Sequence, residues 1–206
     1  GDRRQPKNQT KLRELMMDVM VRNTRSQVGI DLPPRRAFTL RISLSKDERT
    51  LYDATADYVR KGYQNRGSAR LMAHTLQAEA GSSAQALHAT LTVMRKNQKK
   101  RDAALDDLCD LAAAVTSSSK AVALLESLRE HGEKVLIFTG FRETQRFLRE
   151  WLEDAGIPCA VFGGDLSAAE KDAQVAAFAG DKRALISTDV GSEGRNLQFC
   201  RNLVNF

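Results

Sequence analysis

Residues 119–206 predict an α/β fold, a parallel sheet with flanking helices, and residues 1–118 predict a mostly helical region with one short strand at about 37–44. Three observations carry this reading. Short apolar runs at 134–138, 159–162 and 184–186 alternate with amphipathic stretches over short links, the pattern of strand–helix–strand units joined by crossovers. Ser45 and Ser167 each stand three residues before a glutamate, Glu48 and Glu170, which is the spacing of a reciprocal helix cap. Glycine and a small polar residue follow each apolar run, in Thr139-Gly140-Phe141, in Gly163-Gly164-Asp165, and from Thr188 to Gly194. In an open parallel sheet, ligands sit at that carboxyl edge. A set of polar loops with no ligand has the same spacing.

Taken in order, residues 1–11 are polar and are expected to be disordered. Leu12, Leu15, Met16, Val19 and Met20 recur at helical spacing and predict an amphipathic helix over 11–21. Pro33-Pro34 then forces an extended path. Phe38, Leu40, Ile42 and Leu44 alternate with polar residues, the pattern of a half-buried strand. Behind Ser45 a helix carries Leu51, Tyr52, Ala54 and Tyr58, and residues 62–68 end it. Helices follow at about 69–80, 84–96 and 101–115, with Leu71, Leu76, Leu87, Leu91, Leu105, Leu108 and Leu111 as core candidates.

Then come helix 119–131, strand 134–138, and helix 142–155 with Phe147, Leu148, Trp151 and Leu152 turned inward and Gly156 at its end. Strand 159–162, a helix from Ser167 to about Phe178, strand 184–186 and a final strand at 203–206 complete the series. A domain ending inside a buried strand would be unusual, so the sequence is expected to be a piece of a longer chain.

The formal charge of +6 is uneven: residues 1–118 hold 21 Lys and Arg against 13 Asp and Glu, whereas residues 119–206 hold 11 against 13. A basic half suits a polyanionic partner, though solvated helix faces produce the same asymmetry. The densest run is Arg95-Lys96-Asn97-Gln98-Lys99-Lys100-Arg101, five basic residues in seven. It reads as a solvated helix end or as a phosphate contact, and only the second makes binding steeply salt-dependent.

Cys109, Cys159 and Cys200 are too far apart for a zinc site, and being odd in number they suit no disulfide framework; reduced thiols in a cytoplasmic setting are the simplest expectation. His74, His88 and His131 lack ligand spacing, and no metal site is expected. No apolar run approaches a bilayer span and the N-terminus is not a signal peptide, so no membrane partner is expected.

Several motifs are missing. The sequence has no G-x-x-x-x-G-K-[ST] phosphate loop, no acidic pair behind an apolar strand, no dinucleotide fingerprint and no nucleophile elbow. By itself the chain is expected not to hydrolyse ATP, and no complete catalytic set is expected in it.

Lys134-Val-Leu-Ile-Phe-Thr-Gly-Phe141, Gly164-Asp-Leu-Ser167 and Ser187-Thr-Asp-Val-Gly-Ser-Glu-Gly-Arg-Asn-Leu-Gln198 resemble successive motifs of the second RecA-like lobe of superfamily 2 helicases. The last is similar to the Swi/Snf-type ATPases. Val21-Arg-Asn-Thr-Arg25 and Leu32-Pro-Pro-Arg35 resemble the segment linking the two lobes, and Arg195 before Asn196 is closest to the bacterial RNA-polymerase-associated branch.

The resemblance implies an ATP-dependent translocase of nucleic acid, with duplex DNA as the expected substrate. ATP and Mg2+ would be its cofactors, the first RecA-like lobe its partner in cis, RNA polymerase a further partner, and the bacterial nucleoid its setting. Asp189, Gly191, Glu193 and Gly194 would lie at the ATP cleft. Thr139, Gly140, Gly164 and Thr188 would meet the nucleic-acid backbone, with Arg95, Lys96, Lys99, Lys100 and Arg101 as further candidates. Lys171 stands where the family usually has arginine, and a point charge replaces a bidentate fork there. The first lobe is expected before Gly1 and the arginine-rich motif beyond Phe206. The alternatives are a non-catalytic adaptor on a RecA-like scaffold and a strand-separating helicase.

Overall fold

The computed structural model describes residues 8–20, 36–62, 69–188 and 197–206. The chain divides into two units, Gly1–Leu40 and Arg41–Phe206. In the first unit, α1 (Gln9–Val19) forms where helical spacing places it, beginning and ending two residues early. Among the described residues, Leu12, Leu15, Met16 and Val19 of its apolar stripe are exposed.

The expected strand at 37–44 does not form. Residues 36–45 carry no regular secondary structure, and Phe38 is 86% and Leu40 68% exposed. Alternation prepares a segment to lie on a sheet, but a strand exists only by pairing its backbone with a neighbour. No described strand pairs with this segment.

The second unit opens with four helices, α2 (Lys46–Gly62), α3 (Ala69–Ser82), α4 (Ala84–Asn97) and α5 (Ala103–Ala114). Leu51, Val59, Leu76, Leu87, Leu91, Leu105 and Leu108 form their common core. Leu111, expected inside, is instead 38% exposed, because it lies one position off the Leu105–Leu108–Ala112 stripe. The side chain of Leu71 and residues 63–68 lie outside the described residues.

The sheet region follows as α6 (Ser119–His131), β1 (Val135–Thr139), α7 (Arg142–Asp154), β2 (Cys159–Phe162), α8 (Ala168–Ala179), β3 (Ala184–Thr188) and β4 (Asn202–Asn205). All pairings are parallel and the strand order is β2-β3-β1-β4. Continuous apolar runs suit this arrangement, since both faces need cover. Val135, Ile137, Cys159, Ala184 and Ile186 pack with α6 and α7, while Leu136, Ala160, Phe162 and Leu185 pack with Phe178 of α8. β4 is an edge strand rather than the buried strand expected, with Leu203 54% exposed.

On α7, Leu148 and Leu152 are fully buried. Phe147 and Trp151 are half-buried, their ring centroids 6.0 Å apart. They line a groove against Ala89 of α4 and Ala112 of α5.

Helices α5 and α6 hold the most apolar stretch of the described residues, with a mean hydropathy of 1.4 over the richest window of 103–131. It is broken at 115–118 into helices of 12 and 13 residues. Each is roughly 20 Å long, short of the roughly 30 Å hydrocarbon core of a bilayer.

Both expected capping boxes form. Ser167 and Glu170 close one at the start of α8. At the start of α2, Ser45 N donates to Glu48 at 2.8 Å and Glu48 N donates to the Ser45 hydroxyl at 3.2 Å. Glu48 also reaches beyond its own helix. Its carboxylate accepts from the backbone N (2.9 Å) and hydroxyl of Ser119, at the first turn of α6. One carboxylate thereby caps the helical bundle and ties it to the sheet region.

Burial alone would raise the Glu48 carboxyl, but hydrogen bonds from Ser119 and Ser45 outweigh it and hold the group below its ordinary value of 4.5. The folded form therefore binds this proton less tightly than the unfolded form. The resulting stabilisation is present above the unfolded value and is lost as pH falls through the folded one. Glu48→Gln should lower the unfolding free energy by about 1.5 kcal/mol near neutral pH. In urea titrations, the gap from the parent sequence should close on acidification below about pH 4. A gap that stays constant with pH would remove the charge from the account.

Candidate nucleic-acid interface

β1, β2 and β3 end side by side, and the loops after β1 and β2, each with glycine, leave from that edge. The parallel register sets Thr139 opposite Thr188 and Phe162 opposite Ser187. Thr139 is 2% and Thr188 7% exposed, and the Thr139 Oγ1 has no hydrogen-bond partner among the described residues. Gly140 is exposed, and an added Cβ would meet nothing within 4 Å. Its φ is not left-handed, so what it supplies is open space beside the backbone.

Gly163 is buried, and a Cβ there would come within 2.6 Å of Asp165 Oδ1, so the Asp165 side chain folds back over the loop. Gly164 stays exposed at the turn. Arg142, at the start of α7, reaches Asp165 at 3.7 Å and bridges the first two loops. Asp189, Gly191, Glu193 and Gly194 lie outside the described residues.

The sequence pointed to the loops but not to what holds them. Thr144 is fully buried, with its hydroxyl 2.9 Å from Ser82 Oγ and 2.7 Å from Ser83 Oγ at the α3–α4 corner. Gln145 is 7% exposed and donates through Nε2 to Phe162 O at 3.0 Å and Ile186 O at 2.7 Å. A signal was available. The apolar stripe Leu148–Leu152 runs back at helical spacing onto Thr144 and Gln145, and polar residues on a buried stripe must have specific partners.

The basic run sits at the end of α4 and in the loop before α5. Arg95 pairs with Asp110 at 3.2 Å and Arg101 with Asp106 at 2.9 Å. Lys96, Lys99 and Lys100 are exposed and make no ion pair among the described residues. Asp102 N-caps α5 through Ala104 and Leu105 and accepts from Tyr58, and its own N–H donates to Gln98. No hydrogen bond or ion pair joins this loop to the carboxyl edge among the described residues. Lys171, the departure noted in the sequence, lies 5.7 Å from the centre of the Phe162 ring.

The described residues hold no group of three His, Cys, Asp or Glu side chains that could bind a metal ion. At the carboxyl edge Gly140 and Gly164 are exposed, whereas Thr139 and Thr188 are buried.

Cys159 lines a cleft of about 430 Å³ with Gln145, Gly163 and Asp165. Burial, with the charge of Glu153 adding, pushes its pKa up to about 12.

Residues 2–104 match the SNF2-related domain and residues 117–206 match the helicase conserved C-terminal domain. The chain is 34% identical over 200 residues to an uncharacterized ATP-dependent helicase, YqhH, of Bacillus subtilis, covering 95% of this chain and 36% of that protein. It is 41% identical over 88 residues to the RNA polymerase-associated protein RapA of Vibrio parahaemolyticus, covering 40% of this chain and 9% of that one. The chain thus spans about a third or less of these relatives. Among solved structures, the Sulfolobus solfataricus SWI2/SNF2 ATPase core in complex with dsDNA superimposes with a TM-score of 0.60 at 15% identity, over 95% of this chain and 40% of that one. At that identity the likeness is one of fold.

Alkylation followed by peptide mapping should leave Cys159 unmodified in the native chain and modify it in denaturant. Near pH 8 its thiolate fraction should be roughly a thousand-fold below that of an ordinary thiol. Labelling of native Cys159 as fast as in denaturant would contradict the burial described.

Proposed function

Because the chain belongs to the SNF2-related family of helicase-like ATPases, we propose that it supplies the interlobe linker and most of the second RecA-like lobe of an ATP-dependent duplex-DNA translocase. Residues 1–118 would be the linker and helical insertion, and 119–206 the partial lobe. The single observation carrying the reading is the convergence of three strand ends, in register, on one edge with Thr139, Gly140, Gly164 and Thr188.

Each residue type suits a sugar–phosphate backbone. Hydroxyls can donate to phosphate oxygens, and glycines leave room for close approach. Asp189, Gly191, Glu193 and Gly194 would face the nucleotide across the cleft from the first lobe. Bound ATP would supply the energy difference between closed and open lobes. RNA polymerase as a partner rests on the likeness to RapA, and a bacterial cytoplasmic, nucleoid-associated setting on the same relatives.

The basic loop contributes less than its sequence promises, since Arg95 and Arg101 already face aspartates. Surface pairs of this kind are weak, but they reduce the local field that a phosphate would meet. Replacing Lys96, Lys99 and Lys100 together by Gln should reduce the salt slope of duplex binding by about 2 to 3, and replacing Arg95 and Arg101 by less. Equal slopes in all variants would make the loop a solvated surface.

In the longer protein, Glu193→Ala should abolish DNA-stimulated ATP turnover, and an unchanged rate would take Glu193 out of the cleft. The decisive comparison is ATP turnover with and without duplex DNA, by the longer protein and by this chain. Stimulated turnover by the longer protein alone supports the translocase, and silence from both favours the adaptor.

A further inference from the structure

Gln145 lies at a position where three strand ends meet. It follows β1 by six residues, through Gly140 and the first turn of α7, so the path of β1 fixes its backbone. Its carboxamide then spends both N–H bonds on the neighbouring strands: one on Phe162 O, the last carbonyl of β2, and one on Ile186 O, two residues before β3 ends. Both carbonyls are buried in the sheet's carboxyl edge. Its oxygen faces Gly163, 3.7 Å from where a Cβ would stand, so the first residue of the second loop packs directly on the amide.

The preceding residue, Thr144, is anchored the other way, by the hydroxyls of Ser82 and Ser83. Ser83 is itself the N-cap of α4, accepting from Ala86 N. Adjacent residues on one helix turn thus grip the strand ends on one side and the α3–α4 corner on the other.

We infer that Gln145 is the positioning residue of the carboxyl-edge site: its carboxamide holds the ends of β1, β2 and β3 at fixed mutual spacing. Thr144 supplies the fixed end of that brace. The inference rests on the reading of this edge as a nucleic-acid interface only for its functional consequence. The bracing is a property of the chain itself.

A hydrophobic residue of the same length cannot do this. Methionine at 145 would fill the volume and remove both carboxamide donors from Phe162 O and Ile186 O. Glutamate has no donor when ionised and one when protonated, so it should restore half of the brace on acidification.

The test is amide hydrogen exchange on this chain, expressed as protection factors at about pH 5 and about pH 8, for Gln145→Met, Gln145→Glu and the unaltered sequence. In Gln145→Met, exchange over residues 163–166 and 186–188 should quicken by at least about tenfold at both pH values, with α2–α5 unchanged. Gln145→Glu should match it at the higher pH and recover protection at the lower one. Loop protection equal to that of the unaltered chain would overturn the inference. So would loosening spread evenly through α2–α5, which would mark Gln145 as packing alone.

Duplex DNA affinity, measured on the same three proteins, separates the two layers. If the loops loosen and affinity falls, the brace serves the interface. If the loops loosen while the unaltered chain shows no DNA affinity, the brace stands and the interface reading fails.

Discussion

All five residues of β3 are buried, with β2 on one side, β1 on the other, and helices over both faces. That burial constrains everything around it. A strand hidden on both faces cannot carry charge, which is why Ala184–Ile186 is a plain apolar run, and polar residues resume only where the strand leaves the sheet at Ser187 and Thr188. Each fully buried aliphatic side chain contributes on the order of 2 kcal/mol. The ion pairs among the described residues, by contrast, are all solvent-facing on at least one side, and such pairs are worth about 0–1 kcal/mol. The core therefore determines stability here, and the surface charges are free to serve other purposes.

The helical bundle has its own core, so it needs specific contacts to hold a defined orientation on the sheet region. Beside the apolar groove of Phe147 and Trp151, polar contacts join the two among the described residues. Glu48 reaches Ser119, Ser82 and Ser83 meet Thr144, and Lys120 Nζ donates to Gly81 O at 3.0 Å while lying 4.3 Å from the centre of the Phe206 ring. Burial pulls the Lys120 ammonium below its usual value, opposed by the charge of Glu48. Hydrogen bonds are directional where apolar contacts are not, so this small set can specify one orientation of bundle on sheet.

Local chemistry explains which parts of this architecture could be read in advance. Capping boxes depend on residues three apart, and helix α6 begins and ends where its sequence says because its caps are local too. The sheet was legible from its unbroken apolar runs and short links. What escaped were features that depend on partners distant in sequence. Phe38 to Leu44 alternates like a strand but has no described strand to pair with, and the stripe of α1 has the right spacing but is exposed among the described residues. At the candidate site the loops were visible as glycine-rich punctuation. Thr144 and Gln145 were not, because their partners lie 61 and 62 residues upstream and 17 and 41 residues downstream.

Trp151 is the chain's one tryptophan. It is half-buried on α7, beside Phe147, in the groove that faces α4 and α5. Its indole Nε1 is shielded from solvent and unpartnered among the described residues. An indole in that setting emits according to how well the groove excludes water. The molecule therefore carries an intrinsic optical gauge at the seam between bundle and sheet. Its emission wavelength should shift when that seam opens and hold steady when only the basic loop or the terminal strand rearranges.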